Sequence, residues 1–215
     1  MLKNRRLAHI ILRNMKCGGN EKLYKFIYKA LSRLLIAFWV VAAVLFAYEY
    51  VARKKLYPLW FKETVIETAT EYGLEPALVF AVIKTESGFD ENAVSAKGAK
   101  GLMQITDETG AYIAAKLRIV SYDLFEPRTN IRFGCYYLRY LLDGFSDEKT
   151  AVAAYNAGEG NVRNWLTDKK YSEDGVALKE IPYKETARYT EKICESFRKY
   201  KKLYGKLLDK VAKTE

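Results

Sequence analysis

The sequence predicts a mainly α-helical domain preceded by one N-terminal transmembrane helix, and three observations carry that expectation. No stretch alternates apolar and polar residues convincingly at period two, so any sheet is minor. Apolar residues recur instead at helical spacing between turn signals, from about residue 59 to 208. Finally, Leu34 to Tyr48 is a run of fifteen residues without a charge, set directly behind a strongly basic segment.

The basic segment comes first in the chain. Nine of the 36 Lys and Arg lie in residues 1–33, against Glu21 alone of the 26 Asp and Glu. The rest of the chain, with 27 basic and 25 acidic residues, is nearly neutral, so the net charge of +10 belongs to the arm and no nucleic-acid partner is expected of the domain. Glu21 to Arg33 sets Leu23, Phe26, Ile27, Ala30 and Leu31 against Lys22, Lys25, Lys29 and Arg33, an amphipathic basic helix suited to an anionic inner leaflet. A cytoplasmic or envelope protein partner is left unnamed by the sequence. Gly18-Gly19-Asn20 separates this helix from Leu2 to Met15.

The wider apolar zone, Leu31 to Ala52, is long enough to span ~30 Å of hydrocarbon. Arg33 can snorkel at one end, and Tyr48, Tyr50, Tyr57 and Trp60 can sit at the opposite interface. A cleavable signal is the competing reading. Thirty-three residues before the run are long for a signal's basic region, and the one passable cleavage site, Val41-Ala42-Ala43, lies inside the run. The N-terminal flank is far more basic than Arg53-Lys54-Lys55, which orients the N-terminus to the cytoplasm. The expected layout is a basic cytoplasmic arm (1–33), a single-pass anchor in the cell membrane (34–52) and an extracytoplasmic domain (53–215).

Within that domain the helices are expected in order. Leu59 to Tyr72 turns Trp60, Phe61, Val65, Ile66 and Ala69 inward and ends at Gly73. Pro76 to Ser87 opens on a proline suited to a first helical turn. Asp90 to Lys100 is a small-residue loop, and helix resumes from Gly101 to Leu117. Asn130 caps Ile131 to Leu142, where Gly134 permits close packing and Gly144 ends the helix. Thr150 to Asn156 is short and apolar, Asn161 caps Val162 to Leu166, and Thr167 to Lys179 is a polar surface loop. Tyr183 to Leu208 closes the domain.

Cysteine usage builds no framework. Cys17 falls in the arm, and Cys135 and Cys194 in the domain read better as two buried thiols than as one disulfide. The single histidine, His9, lies in the arm, so neither a histidine-based triad nor a metal site of ordinary type is expected outside, and no cofactor.

The chemistry centres on Glu86. Val79, Val82 and Ile83, one and two turns before it, share its face, so its carboxyl points where the core points. A carboxyl held against apolar neighbours resists ionising and can donate a proton near neutral pH. An exposed helix-end glutamate is the bland alternative, and the company of Glu86 weighs against it. Ser87-Gly88-Phe89 follows, then Ser95, Gly98-Ala99, Gly101-Leu102-Met103-Gln104, Ala153-Ala154-Tyr155-Asn156-Ala157-Gly158, and Ile181-Pro182 with Glu185-Thr186 and Tyr189. In this order and spacing the chain from about Trp60 to Tyr204 resembles the catalytic domain of the soluble-lytic-transglycosylase family, of goose-type lysozyme-like fold.

The resemblance implies a peptidoglycan lytic transglycosylase that cuts glycan strands between N-acetylmuramic acid and N-acetylglucosamine, leaving 1,6-anhydro ends. It implies Glu86 as general acid and then base. Ser95, Gln104, Tyr155, Asn156, Glu185 and Tyr189 match groove positions that bind the glycan. Asn156 also reads as a helix-end cap, Glu185 as a first-turn dipole partner, and Tyr155 as a core residue with its hydroxyl satisfied. Most glycosidases need two carboxylates. Asp90, Glu91, Asp107 and Glu108 near Glu86 read as solvated surface, and a substrate that supplies its own acetamido oxygen and 6-hydroxyl needs only one acid. Ile105-Thr106 departs from the methionine-proline pair common in the family. A hydrolase of the same fold, using a positioned water, and an inactive wall-binding scaffold stand as the alternatives.

Overall fold

The computed structural model describes residues 21–212, which divide into two compact units at the Leu56–Tyr57 junction. The stretch from Leu2 to Met15, with His9, and Cys17 beyond it lie outside the described residues.

In the first unit, α1 (Glu21–Val51) is one unbroken helix that passes into a π-helical turn, Ala52–Leu56. The sequence divides this segment into a basic amphipathic part and an apolar part. Neither Gly nor Pro interrupts residues 21–51, so the two parts share one rod. Its 31 residues reach about 46 Å, more than the ~30 Å of a bilayer's hydrocarbon. Its large apolar side chains, Leu35, Phe38, Val41 and Phe46 among them, are exposed. By length and composition the helix can cross a membrane.

The second unit is built from α2 (Lys62–Glu71), α3 (Pro76–Glu86), α4 (Asp107–Leu117), α5 (Pro127–Gly144), α6 (Glu148–Ala157), α7 (Glu159–Leu166) and α8 (Lys184–Ala212). Among the described residues there is no strand, only isolated bridges from Lys100 to Val94 and to Ile105. Helix α3 is the axis of the fold. Ala77 through Ile83 are all buried, as a helix apolar on every side requires. Its broadest contact is with α8, where Phe80 stacks on Tyr200 at 5.4 Å, and Tyr200 in turn donates to the Pro58 carbonyl at 3.0 Å. A smaller core of Leu141, Phe145, Ala151, Ala154, Val162 and Trp165 joins α5, α6 and α7.

Four expectations are corrected by this packing. Helix α2 starts at Lys62 rather than Leu59 because Phe61 adopts the left-handed conformation (φ 57°), which turns Trp60 outward, 57% exposed. Helix does not resume at Gly101: residues 101–106 are a tight turn, and α4 begins at Asp107, capped by Thr106, whose hydroxyl accepts from the Thr109 amide. Asn130 is no cap. Helix α5 opens at Pro127 under a Glu126 carboxylate that accepts from the amides of Arg128 and Thr129, and Asn130 is fully buried inside it. Asn161 likewise sits within α7, donating to the Ala157 carbonyl at 2.8 Å.

Cys135 and Cys194 are both free; the first is buried and the second partly exposed. Burial pushes the Cys135 thiol well above its usual range, so it is an inert packing residue. Gly134 is where α5 meets the 101–104 turn: a Cβ there would come within 2.7 Å of the Met103 Cβ, an atom too close to the backbone to swing aside. Gly134→Ala is therefore expected to destabilise the domain by roughly 1–3 kcal/mol, read as a lowered midpoint in denaturant unfolding with an unchanged slope.

Candidate active site

Glu86 is the last residue of α3, and the apolar helix behind it strips water from one side of its carboxyl. Burial pushes that carboxyl up to about 7, against the opposing pull of a hydrogen bond from the Tyr189 hydroxyl to Oε1 at 2.6 Å. The phenol of Tyr189 is driven well above its usual range, by burial first and then by the Glu86 charge. It is thus a permanent donor that keeps the carboxyl aimed. Tyr189→Phe removes a bond that favours the charged form. The pH at which activity declines on the alkaline side should rise, while a variant that only loosened packing would lower turnover without moving that limb.

Tyr155 lies beside the same carboxyl. Burial and then the Glu86 charge raise its phenol, whose hydroxyl donates to the Met103 carbonyl at 2.9 Å. Ser87 performs a related task from the other side. Its hydroxyl donates to the Leu102 carbonyl at 2.8 Å and accepts from the Phe89 amide at 3.1 Å. The 101–104 turn is therefore tied to α3 and to α6 on either side of Glu86.

The turn itself is a compact backbone knot. Gly101 takes φ 71°, and a Cβ there would strike the Leu124 carbonyl at 2.5 Å. Gln104 also has positive φ (51°), and its amide nitrogen donates to the carbonyls of Gly101 (2.8 Å) and Ala93 (3.2 Å). Ser95 is half-buried and closes the preceding turn, its hydroxyl accepting from the Ala99 amide at 3.0 Å. Under the knot, Asn130 bonds the Met103 amide at 2.7 Å and the carbonyls of Lys100 (2.9 Å) and Leu124 (2.6 Å).

The predicted site residues thus divide. Glu86, Tyr155 and Tyr189 converge. Ser95 and Gln104 shape the adjoining loop. Asn156, far from being a cap, accepts from the Thr186 hydroxyl at 2.8 Å and ties α6 to α8. Glu185 is exposed in the first turn of α8, where its charge suits the helix dipole, one turn away from the buried Tyr189. Ser87 and Asn130 have positioning tasks that the sequence did not disclose.

Two of the four neighbouring acids are engaged elsewhere. Asp90 caps its own turn through the Asn92 amide at 2.9 Å, and Asp107 pairs with Lys100 at 2.7 Å. What the arrangement offers is one aimed carboxyl that is protonated and deprotonated in comparable amounts near neutrality, so it can give a proton and take one back.

Comparison with known proteins agrees with this geometry. The model of the transglycosylase SLT domain matches residues 63–177, just over half of the chain. The soluble lytic murein transglycosylase of Salmonella typhimurium is 34% identical over 143 residues, 64% of this chain but 22% of that protein. The membrane-bound lytic murein transglycosylase C of Yersinia enterocolitica is 34% identical over 119 residues, 49% of this chain and 33% of its own length. Among solved structures, an inactive Glu-to-Gln mutant of the lytic transglycosylase Slt from Pseudomonas aeruginosa superposes with a TM-score of 0.59 at 30% identity, covering 68% of this chain and 25% of that one. The 70 kDa soluble lytic transglycosylase of Escherichia coli gives 0.61 at 27%, covering 69% and 25%. The chain thus spans about a fifth of the soluble relatives it matches and a third of the membrane-bound one. Its helical domain shares the lysozyme-like fold of the 70 kDa enzyme, and the chain belongs to the transglycosylase SLT domain family.

Proposed function

We propose that this protein is a peptidoglycan lytic transglycosylase that cleaves the β-1,4 bond between N-acetylmuramic acid and N-acetylglucosamine without consuming water. The observation that carries the reading is Glu86, whose carboxyl is pushed up to about 7 by burial and aimed by Tyr189. Glu86 donates its proton to the glycosidic oxygen as the C1–O bond breaks. The 2-acetamido oxygen of the muramyl sugar stabilises the anomeric carbon. The Glu86 carboxylate then removes the proton of the 6-hydroxyl as that oxygen bonds C1, which closes the 1,6-anhydro ring and restores the acid.

Tyr189 holds the acid, and Tyr155, whose hydroxyl is bonded to the Met103 carbonyl, borders the scissile sugar. Ser95, Gln104, Asn156 and Glu185 line the glycan path by the resemblance already drawn, and the exposure of Glu185 leaves its carboxylate open to a sugar hydroxyl. Helix α1 supports membrane association, as does the likeness to a membrane-bound relative. In this reading residues 1–33 are cytoplasmic, 34–52 cross the membrane once, and 53–215 form the extracytoplasmic domain, confined to wall close to the bilayer.

Mass spectrometry of sacculi digested by the full-length chain in detergent tests the chemistry. Anhydro-muramyl ends are expected. Products heavier by one water would replace the transglycosylase by a hydrolase, and undigested sacculi would leave only a wall-binding protein.

A further inference from the structure

Four tyrosine rings run outward from the Glu86 site in an unbroken line. Tyr155 meets Tyr137 at 5.5 Å, Tyr137 stacks on Tyr140 at 6.2 Å with planes 14° apart, and Tyr140 meets Tyr112 edge-on at 6.1 Å. Tyr137 and Tyr140 are one turn apart on α5 and so share a face, while Tyr112 is delivered by α4. The inner rings are at least partly buried and pack with the core. The outer two are not: Tyr112 is 40% exposed and Tyr140 37%.

A core needs no such extension, and a surface normally does not hold exposed rings rigid. Here Tyr140 is fixed. Its hydroxyl donates to Glu159 at 2.9 Å, a bond that raises its phenol to about 12, and Glu159 is itself paired with Arg163 at 2.6 Å. Tyr112 carries a cation: the Lys116 ammonium lies 5.4 Å from its ring centre. The result is an ordered aromatic pair with a positive charge over one face of Tyr112, linked ring by ring to the candidate active site. Rigid aromatic rings bind with little ordering cost.

We infer that Tyr112 and Tyr140 form a distal sugar platform on which a peptide-free glycan strand leaving the Glu86 site lays the apolar face of a further ring, with Lys116 meeting the lactyl carboxylate that a muramyl residue bears where its peptide has been removed. The inference rests on the proposed function for the identity of the strand. It makes the platform the element that distinguishes long strands from short ones.

Binding of peptide-free glycan strands of four and of ten sugars to the full-length Glu86→Gln protein in detergent, followed by calorimetry, tests it without cleavage. The ten-sugar strand is expected to bind about tenfold more tightly than the four-sugar strand. In Glu86→Gln carrying Tyr112→Ala that advantage should vanish, and Tyr112→Phe, which keeps the ring, should restore it. Lys116→Ala should weaken the ten-sugar alternating strand and leave a ten-sugar N-acetylglucosamine oligomer unchanged. An equal length advantage with and without the Tyr112 ring overturns the platform whatever the enzyme's products are. Absence of anhydro ends from the wild-type digest sinks the transglycosylase reading and leaves the length comparison standing on its own.

Discussion

Glu86→Gln is expected to lower the turnover of sacculi by about 10²–10⁴-fold, the range a general acid supplies, and at the same time to stabilise the protein above neutrality. Both effects follow from burial of the carboxyl. In the folded protein burial pushes the Glu86 carboxyl up to about 7, and its ordinary value is 4.5. Between those values the folded state holds a proton that the unfolded state has lost, so stability is complete below about 4.5 and falls as pH rises through about 7. Above that range the cost is on the order of 3 kcal/mol. Glutamine carries no such cost and can still accept from Tyr189. Its melting temperature should match the wild type near pH 4 and exceed it at pH 8 by on the order of 5–10 °C. A gap that stays constant with pH would mean that the carboxyl is hydrated and the acid mechanism is lost with it. Wild-type kcat/KM should correspondingly fall with pH above about 7, as the acid form is depleted.

The largest loss of stability is expected from Asn130→Ala. That substitution leaves the Met103 amide and the Leu124 carbonyl without their buried partner beneath the 101–104 turn, while the Lys100 carbonyl keeps the Ile105 amide at 3.0 Å. An unsatisfied buried group costs about 1–3 kcal/mol, and relaxation of the turn recovers part of the sum, so roughly 3–5 kcal/mol is expected in denaturant unfolding. The functional consequence travels through backbone. Leu102 and Met103 present the carbonyls that receive Ser87 and Tyr155, so a loosened turn releases both sides of the Glu86 setting. Hydrogen exchange at the Met103 amide should accelerate well before the domain unfolds, and glycan cleavage should fall although Glu86 is untouched. A Met103 amide that stays protected in Asn130→Ala would show that the turn holds itself.

Much of the helical order was legible along the chain because helices are local. The Pro76 opening, the wholly apolar Ala77–Ile83 stretch and the return of polarity after Glu86 state α3 and its buried nature without help from elsewhere. The 21–51 rod follows from the absence of breakers. Helix starts were less legible. Asn130 and Asn161 have the side chains of caps, but a cap is chosen by where the backbone turns. Proline and glutamate at 126–127 and glycine at 158 had already chosen that place. Trp60 has the character of a core residue, and its outward turn depends on a single left-handed Phe61 that no periodicity announces.

The amino-acid order by itself determined a largely apolar zone long enough for a bilayer, a succession of helices in the domain behind it, and one glutamate on an apolar helix face, since each depends on residues within a few turns of one another. Only the tertiary structure decided what that glutamate meets. Tyr189 stands 103 positions further on, and the carbonyl that holds Tyr155 lies 52 positions before it. The reach of a hydroxyl across such gaps is set by how α3, α6 and α8 pack, and hydrogen bonds lose their strength over a few tenths of an ångström, a precision that spacing along a chain does not encode.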